Sequence, residues 1–266
     1  MLTDPKSSLV KGVARLSKKD ARSQTGLFLL EGPQGLKEAV HAPKLIVELY
    51  ATPECVDRYP QLFERVHAAR IELTLVSDRV LEAMCDTSTP QGVVAVCQQL
   101  DVSLDSVLQR KPKLVALLSQ VRDPGNAGTV LRAADAAGAD AVIFSDNSVD
   151  LYNPKVVRST TGSLFHLPIV QGVTVLETIA KLRQTGIQVF AADGGGDLIT
   201  ELPAGALSQP TAWVFGNEAW GFETETLEAV DKVVGLPLYG AAESLNLATA
   251  ASVCLYQSAF AQRGNH

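Results

Sequence analysis

Three short stretches of small residues, at 193–196, 216–221 and 236–244, each follow a strand-like run in the last third of the chain. Glycine and alanine leave backbone groups open to close approach. In an open α/β sheet, ligands sit beyond the carboxyl ends of the strands. The pattern predicts a binding crevice made largely of backbone. The third loop runs on into a helix expected from Ser244 to about Gln262, with the Ser244 hydroxyl as N-cap. Leu245, Leu247, Ala248, Val253, Cys254, Leu255 and Phe260 make that helix apolar on more than one face, which calls for burial on two sides. On the residues alone, a core helix behind a polar cap and a ligand loop leading into an interface helix both stay open. Arg132, three residues before Asp135, reads by itself as half of a surface ion pair.

Several chemistries are excluded. No G-x-x-x-x-G-K-[ST] is present, no G-x-G-x-x-G follows a strand, and there is no G-x-S-x-G elbow. Cys55, Cys85, Cys97 and Cys254 show neither C-x-x-C nor Cys/His spacing. They read as buried, reduced thiols of a cytoplasmic protein rather than as disulfides or a metal site. No apolar run is long enough to span a membrane and no secretory leader is seen, so a soluble chain with no membrane partner is expected.

The elements that must carry the crevice fall into two groups. From 27 to 99, strand-like and helix-like runs alternate, predicting a small α/β domain with a mostly parallel sheet. Residues 101–112 interrupt the rhythm and read as a linker, dividing the chain into domains at 1–100 and 113–266. The alternation then restarts and ends in the third loop and its helix. Net charge is −6, yet residues 1–30 carry six basic against two acidic groups. Lys11, Arg15, Lys18 and Arg22 recur there at helical spacing beside an apolar stripe of Leu9, Val13 and Leu16. That is either a phosphate-contacting face or an ordinary solvated one.

Three ordered motifs make the reading specific. DPGNAGTVLRAA at 123–134, continuing to NPKVVRSTTGS at 153–163, is followed by FGNEAWG at 215–221 and LPLYGAAESLN at 236–246. Together they resemble the SpoU (TrmH-like) family of RNA ribose methyltransferases in the SPOUT superfamily, over roughly residues 113–263. FLLEG at 28–32 and TPQGV at 89–93 resemble, more weakly, the ribosomal-protein-like substrate-binding module of that family.

The resemblance implies an α/β fold with a C-terminal deep trefoil knot and a mostly parallel sheet, behind a small RNA-binding α/β domain. It implies S-adenosyl-L-methionine as cofactor, held by Gly216, Leu236 and Leu245 with Ala192, Asp193 and Ala248. Methyl transfer to a ribose 2′-hydroxyl would use Arg132, oriented by Asn126 and Glu218, with Ser244 and Asn246 completing the polar shell. A guanidinium stays protonated, so Arg132 is expected to activate the hydroxyl or grip the adjacent phosphate rather than act as a base. Lys155 and Arg158 join Lys11, Arg15, Lys18 and Arg22 as candidate RNA contacts. A homodimer through the C-terminal domain is implied, which suits the doubly apolar last helix. The ribosomal-protein-like module favours large-subunit ribosomal RNA, for housekeeping or antibiotic resistance. A transfer-RNA ribose methyltransferase and a non-catalytic RNA-binding or assembly factor are the alternatives.

Overall fold

A computed structural model describes residues 1–264. In chain order the elements are α1 (Ser8–Arg15), α2 (Lys19–Thr25), β1 (Leu27–Glu31), α3 (Pro33–Ala39), β2 (Ile46–Ala51), α4 (Pro53–Arg58), α5 (Pro60–Ala68), β3 (Leu73–Leu75), α6 (Asp78–Met84) and β4 (Val93–Gln98). They continue as α7 (Leu104–Gln109), β5 (Leu114–Leu118), α8 (Pro124–Ala137), β6 (Ala141–Ser145), α9 (Pro154–Thr160), β7 (Ile169–Val173), α10 (Val175–Gln184), β8 (Gln188–Leu198), β9 (Thr211–Phe215), α11 (Thr224–Ala229), β10 (Lys232–Gly235) and α12 (Leu247–Arg263).

The chain divides into two compact units, one of Met1–Leu100 with Asp150–Phe165, the other of Asp101–Val149 with the chain from His166 onward. The stretch read as a linker contains α7, whose Leu104, Val107 and Leu108 are buried in the core of the second unit. Polar residues at 101–106 obscured its short apolar stripe.

The first unit has a four-stranded sheet in the order β1-β4-β2-β3. Its β4 pairs antiparallel with both β1 and β2, and only β2 and β3 are parallel. The expected mostly parallel sheet is therefore corrected to a mixed one. Alternating strands and helices leave the sheet order open, and here β4 returns between β1 and β2. The basic segment is two short helices rather than one. Val10, Val13 and Leu16 face the core while Leu9 is exposed. Lys11, Arg15 and Lys18 are exposed. Arg22 is only 2% exposed, so it does not belong to a phosphate-binding face. Its guanidinium bonds Asp150 and the carbonyls of Leu16 and Ser17. Arg158 of α9 likewise pairs with Glu31 of β1 and with Asp86, which ties that helix to the first unit's sheet rather than leaving the guanidinium free for phosphate.

In the second unit six strands run β10-β8-β9-β5-β6-β7, every neighbouring pair parallel. Five-residue runs such as β5 and β9 are buried throughout, as strands covered on both faces must be. Trp213 of β9 is fully buried and donates its indole N–H to Ser258 of α12 at 2.9 Å, which fixes the last helix to the sheet. The N-cap of α12 is Asn246, not Ser244. One Asn246 carboxamide accepts from Ala248 and Thr249 N–H groups while donating elsewhere, which a serine hydroxyl at 244 cannot match.

All four cysteines are free, and Cys85 is only partly buried. Burial pushes the Cys97 and Cys254 thiols up to about 12. Burial, then the nearby Glu31 carboxylate, does the same at Cys85. A thiol of pKa near 12 is about 10⁻⁴ ionised at pH 8, so iodoacetamide is expected to alkylate these three at least ~10³-fold more slowly than a free cysteine. The native state disfavours the thiolate, so this contribution to stability is complete below the unfolded pKa near 8.5 and is lost as pH rises towards 12. Denaturant midpoints measured from pH 8 to 11 should fall; a flat profile would contradict it.

Candidate functional site

Two small-residue loops and a bulged part of β8 converge in the second unit; the sequence pattern expects a loop at 193–196, but β8 runs on to Leu198. A cavity of about 490 Å³ is lined by Ala192–Gly194 from β8, Gly216–Glu218 after β9, and Leu236 and 243–247 after β10. Asn126 at the start of α8 completes it. Apolar walls come from Phe222, Val234, Leu236 and Leu245.

A chain of side-chain bonds ties the motifs together. Glu218 accepts from the backbone N–H groups of Arg122 and Asp123 and from the Asn126 amide, each at 3.2 Å. Asn126 in turn accepts from the Asn246 amide at 2.9 Å. Residues 120 positions apart in sequence are thus held to one another through two carboxamides. Each end is locally determined. Asp123 caps α8 by accepting from Asn126 N–H at 2.7 Å, and Pro124 fills N1 where no N–H is needed. The turn after β9 is closed by reciprocal backbone bonds between Asn217 and Gly221. Buried Asn217 locks it by donating to the Gln120 carbonyl and accepting from Ala219 N–H.

Backbone proximity here is enforced by packing. The register of β8 against β10 steps from Ala191↔Val233 to Asp197↔Val234, a bulge within β8 whose Ala192, Asp193 and Gly194 line the cavity. A Cβ on Gly196 would lie 2.4 Å from the carbonyl carbon and oxygen of Val233. A Cβ on Gly216 would lie 2.6 Å from the Gly221 oxygen. Gly194 has open space, and Gly195 would meet only the Asp193 side chain. Gly196→Ala is therefore expected to cost about 1–3 kcal/mol, lowering Tm by roughly 2–12 °C. Gly194→Ala is expected to melt with the wild type, and equal melting of all three proteins would refute the packing argument.

Of the residues singled out in the sequence, Asn126, Ala192, Asp193, Gly216, Glu218, Leu236, Ser244, Leu245 and Asn246 line the cavity. Ala248 does not: it is buried on the core side of α12. Arg132 is exposed and lies outside the lining. At 3.6 residues per turn, six residues beyond Asn126 place it roughly 120° round the helix and about 9 Å along. Lys155 is exposed on α9 in the first unit. The sequence signals the locking role of Asn217 only through the general tendency of Asn in tight turns to bond through its side chain. Arg122 and Trp220 are likewise not among the residues singled out in the sequence; the guanidinium lies 5.0 Å over the indole, and the ring is 50% exposed.

Residues 113–256 match the model of the SpoU rRNA Methylase family, and residues 7–95 match that of the MRM3-like substrate binding domain. The 23S rRNA (guanosine(2553)-2′-O)-methyltransferase RlmP of Bacillus subtilis (strain 168) is 35% identical over 252 residues, 94% of this chain and 96% of that protein. The 23S rRNA (uridine(2479)-2′-O)-methyltransferase of Streptomyces viridochromogenes is 32% identical, covering 92% of this chain and 86% of its own. Among solved structures, the AdoMet-bound rRNA methyltransferase from Sinorhizobium meliloti aligns with a TM-score of 0.82 at 28% identity, over 97% and 96% of the two chains.

Proposed function

Because the chain belongs to the SpoU rRNA Methylase family, we propose that it transfers a methyl group from S-adenosylmethionine to a ribose 2′-hydroxyl of 23S ribosomal RNA. The observation that carries this reading is the convergence of three distant segments on one cavity, joined by Glu218, Asn126 and Asn246. Its volume of about 490 Å³ suits a nucleoside-sized cofactor. Leu236, Leu245 and Phe222 offer an apolar seat for adenine, while glycine backbone and the Asp193 and Glu218 carboxylates offer polar contacts. When bound, S-adenosylmethionine supplies an electrophilic methyl on a sulfonium.

The chain's own residues supply position and charge. Glu218, Asn126 and Asn246 fix the loops against one another, so the donors facing the acceptor ribose need little reorganisation. Arg132 favours loss of the 2′-hydroxyl proton by stabilising the developing oxyanion, or holds the neighbouring phosphate. It reaches a cavity through dimerisation in our reading. The exposed face of α8 that carries Thr129, Arg132 and Ala136 adjoins an exposed apolar stripe on α12, where Val253, Tyr256 and Phe260 stand open, Phe260 by 59%. A second copy covering that stripe would bring its own Arg132 to the site boundary. The reading includes the deep trefoil knot, an RNA-binding role for residues 1–100 through exposed Lys11, Arg15 and Lys18, with Lys155 of α9 as a further RNA contact, and a cytoplasmic place of work. No helix among the described residues is long and apolar enough to cross a membrane.

The relatives named above act on different nucleotides, a guanosine and a uridine, so the family fixes the reaction but not the target base. The test is radiolabelled methyl transfer to unmodified 23S rRNA and to transfer RNA, followed by mapping of 2′-O-methyl positions. Label on 23S ribose supports the proposal. Label on a base, label confined to transfer RNA, or cofactor binding without transfer to either RNA would overturn it.

A further inference from the structure

The first unit holds a second cavity, of about 610 Å³, between the start of α3, the α4–α5 junction and Gln91. Its charged lining residues are all cations: Lys37, Arg58 and Arg65. In a chain of net charge −6, three like charges gathered around one hollow repel one another and create a local positive potential. Arg58 has a partner, Glu54, but both side chains are mostly exposed and the pair is readily exchanged. Lys37 and Arg65 have no protein partner among the described residues.

The remaining lining is equally particular. Gln34, Gln61 and Gln91 also line the hollow, and their side-chain amides have no hydrogen-bond partner among the described residues. Each amide offers a donor and an acceptor side by side, the pairing that reads the edge of a nucleobase. Tyr59 supplies an exposed ring. Its placement is forced, because the residue before a proline is disfavoured in α conformation. Tyr59 accordingly breaks the helix at φ −124°, ψ 55° between α4 and α5, with Pro60 opening the next one.

We infer that this cavity binds an unstacked nucleotide of a single-stranded loop in the substrate RNA. Successive phosphates of the loop are held by Lys37, Arg58 and Arg65, the base stacks on Tyr59, and the glutamine amides read its edge. Sequence-specific recognition of RNA is concentrated on such splayed nucleotides. The site would select which loop is presented for methylation. The inference rests on the proposed RNA methylation for the identity of the ligand, and on the cavity alone for its location.

The test uses the full chain with a 23S rRNA transcript containing 4-thiouridine. Affinity is read by fluorescence anisotropy over a range of salt, contact by sequencing crosslinked peptides, and methyl transfer on the same transcript. Lys37→Gln with Arg65→Gln is expected to weaken binding and to flatten the slope of log K against log salt by about 1.4, two single-strand phosphate contacts at about 0.7 each. Tyr59→Ala is expected to weaken binding about 5- to 150-fold with the slope unchanged. Tyr59→Phe keeps the ring and should bind as the wild type, which separates lost stacking from a folding defect.

Crosslinks within 58–65 together with these losses support the inference. If the wild type methylates the transcript while the Lys37/Arg65 and Tyr59→Ala variants bind normally, the cavity is no RNA site and the proposed function survives. If RNA crosslinks at Tyr59 without any methyl transfer, the cavity assignment stands and the proposed reaction falls. Failure of the wild type to bind the RNA, or capture of a protein there instead, overturns the inference.

Discussion

Arg132→Ala is expected to abolish most methyl transfer, by about 10²–10³-fold, while cofactor affinity stays within twofold of the wild type. The size follows from the proposed role, in which Arg132 places one charge where an oxyanion develops. The selectivity follows from geometry, since Arg132 is exposed on α8 and outside the cavity that Gly216, Leu236 and Leu245 line. Arg132→Lys keeps the charge but loses the planar fork, and should recover only part of the rate. Isothermal titration with S-adenosylmethionine and single-turnover transfer measure the two effects separately. Mixing Arg132→Ala with a Gly216→Val protein, whose own cavity is blocked, should restore activity if arginine and cofactor loop come from different copies. Full activity of Arg132→Ala would remove the residue from the mechanism.

Arg22→Ala is expected to lower stability by about 3–5 kcal/mol, a fall in Tm of roughly 6–20 °C, and to do so without RNA present. Its side chain is 3% exposed and the Asp150 side chain 14%, so truncation strands a largely buried carboxylate. It also leaves the carbonyls of Leu16 and Ser17 without the donor that bonds both at 2.9 Å. Exchanging both partners for apolar residues, Arg22→Met with Asp150→Leu, should regain much of the loss because no charge is left behind. Lys11→Gln and Arg15→Gln, on the exposed side of α1, should leave Tm unchanged. A variant at Arg22 that melted normally but bound RNA poorly would return it to the basic face.

The contrast between Arg22 and its neighbours shows where reading a sequence stops. Lys11, Arg15, Lys18 and Arg22 recur at similar spacing, and nothing local distinguishes the last of them. What pairs with buried Arg22 is Asp150, 128 residues away. Arg132 gives the same lesson in reverse. The motif at 123–134 pointed to an arginine near the crevice, and helix geometry turns it out of the cavity to which Asn126 belongs.

Local pattern was enough to locate the strands of the second unit, the small-residue loops after β9 and β10 and the family, because these depend on short-range periodicity and on motifs that survive as strings; the expected loop at 193–196 is instead a bulged part of β8. Strand runs such as 114–118 and 211–215 are apolar throughout, and turns such as 216–221 are written in glycine and asparagine. Only the tertiary structure decided the sheet order of the first unit, the placement of 150–165 with residues 1–100, and the helix within 101–112. It alone moved the cap of α12 from Ser244 to Asn246 and joined Asn246 to Asn126 and Glu218. Those features depend on which distant groups satisfy one another's hydrogen bonds and charges, and such pairings are selected by burial in three dimensions rather than by spacing along the chain.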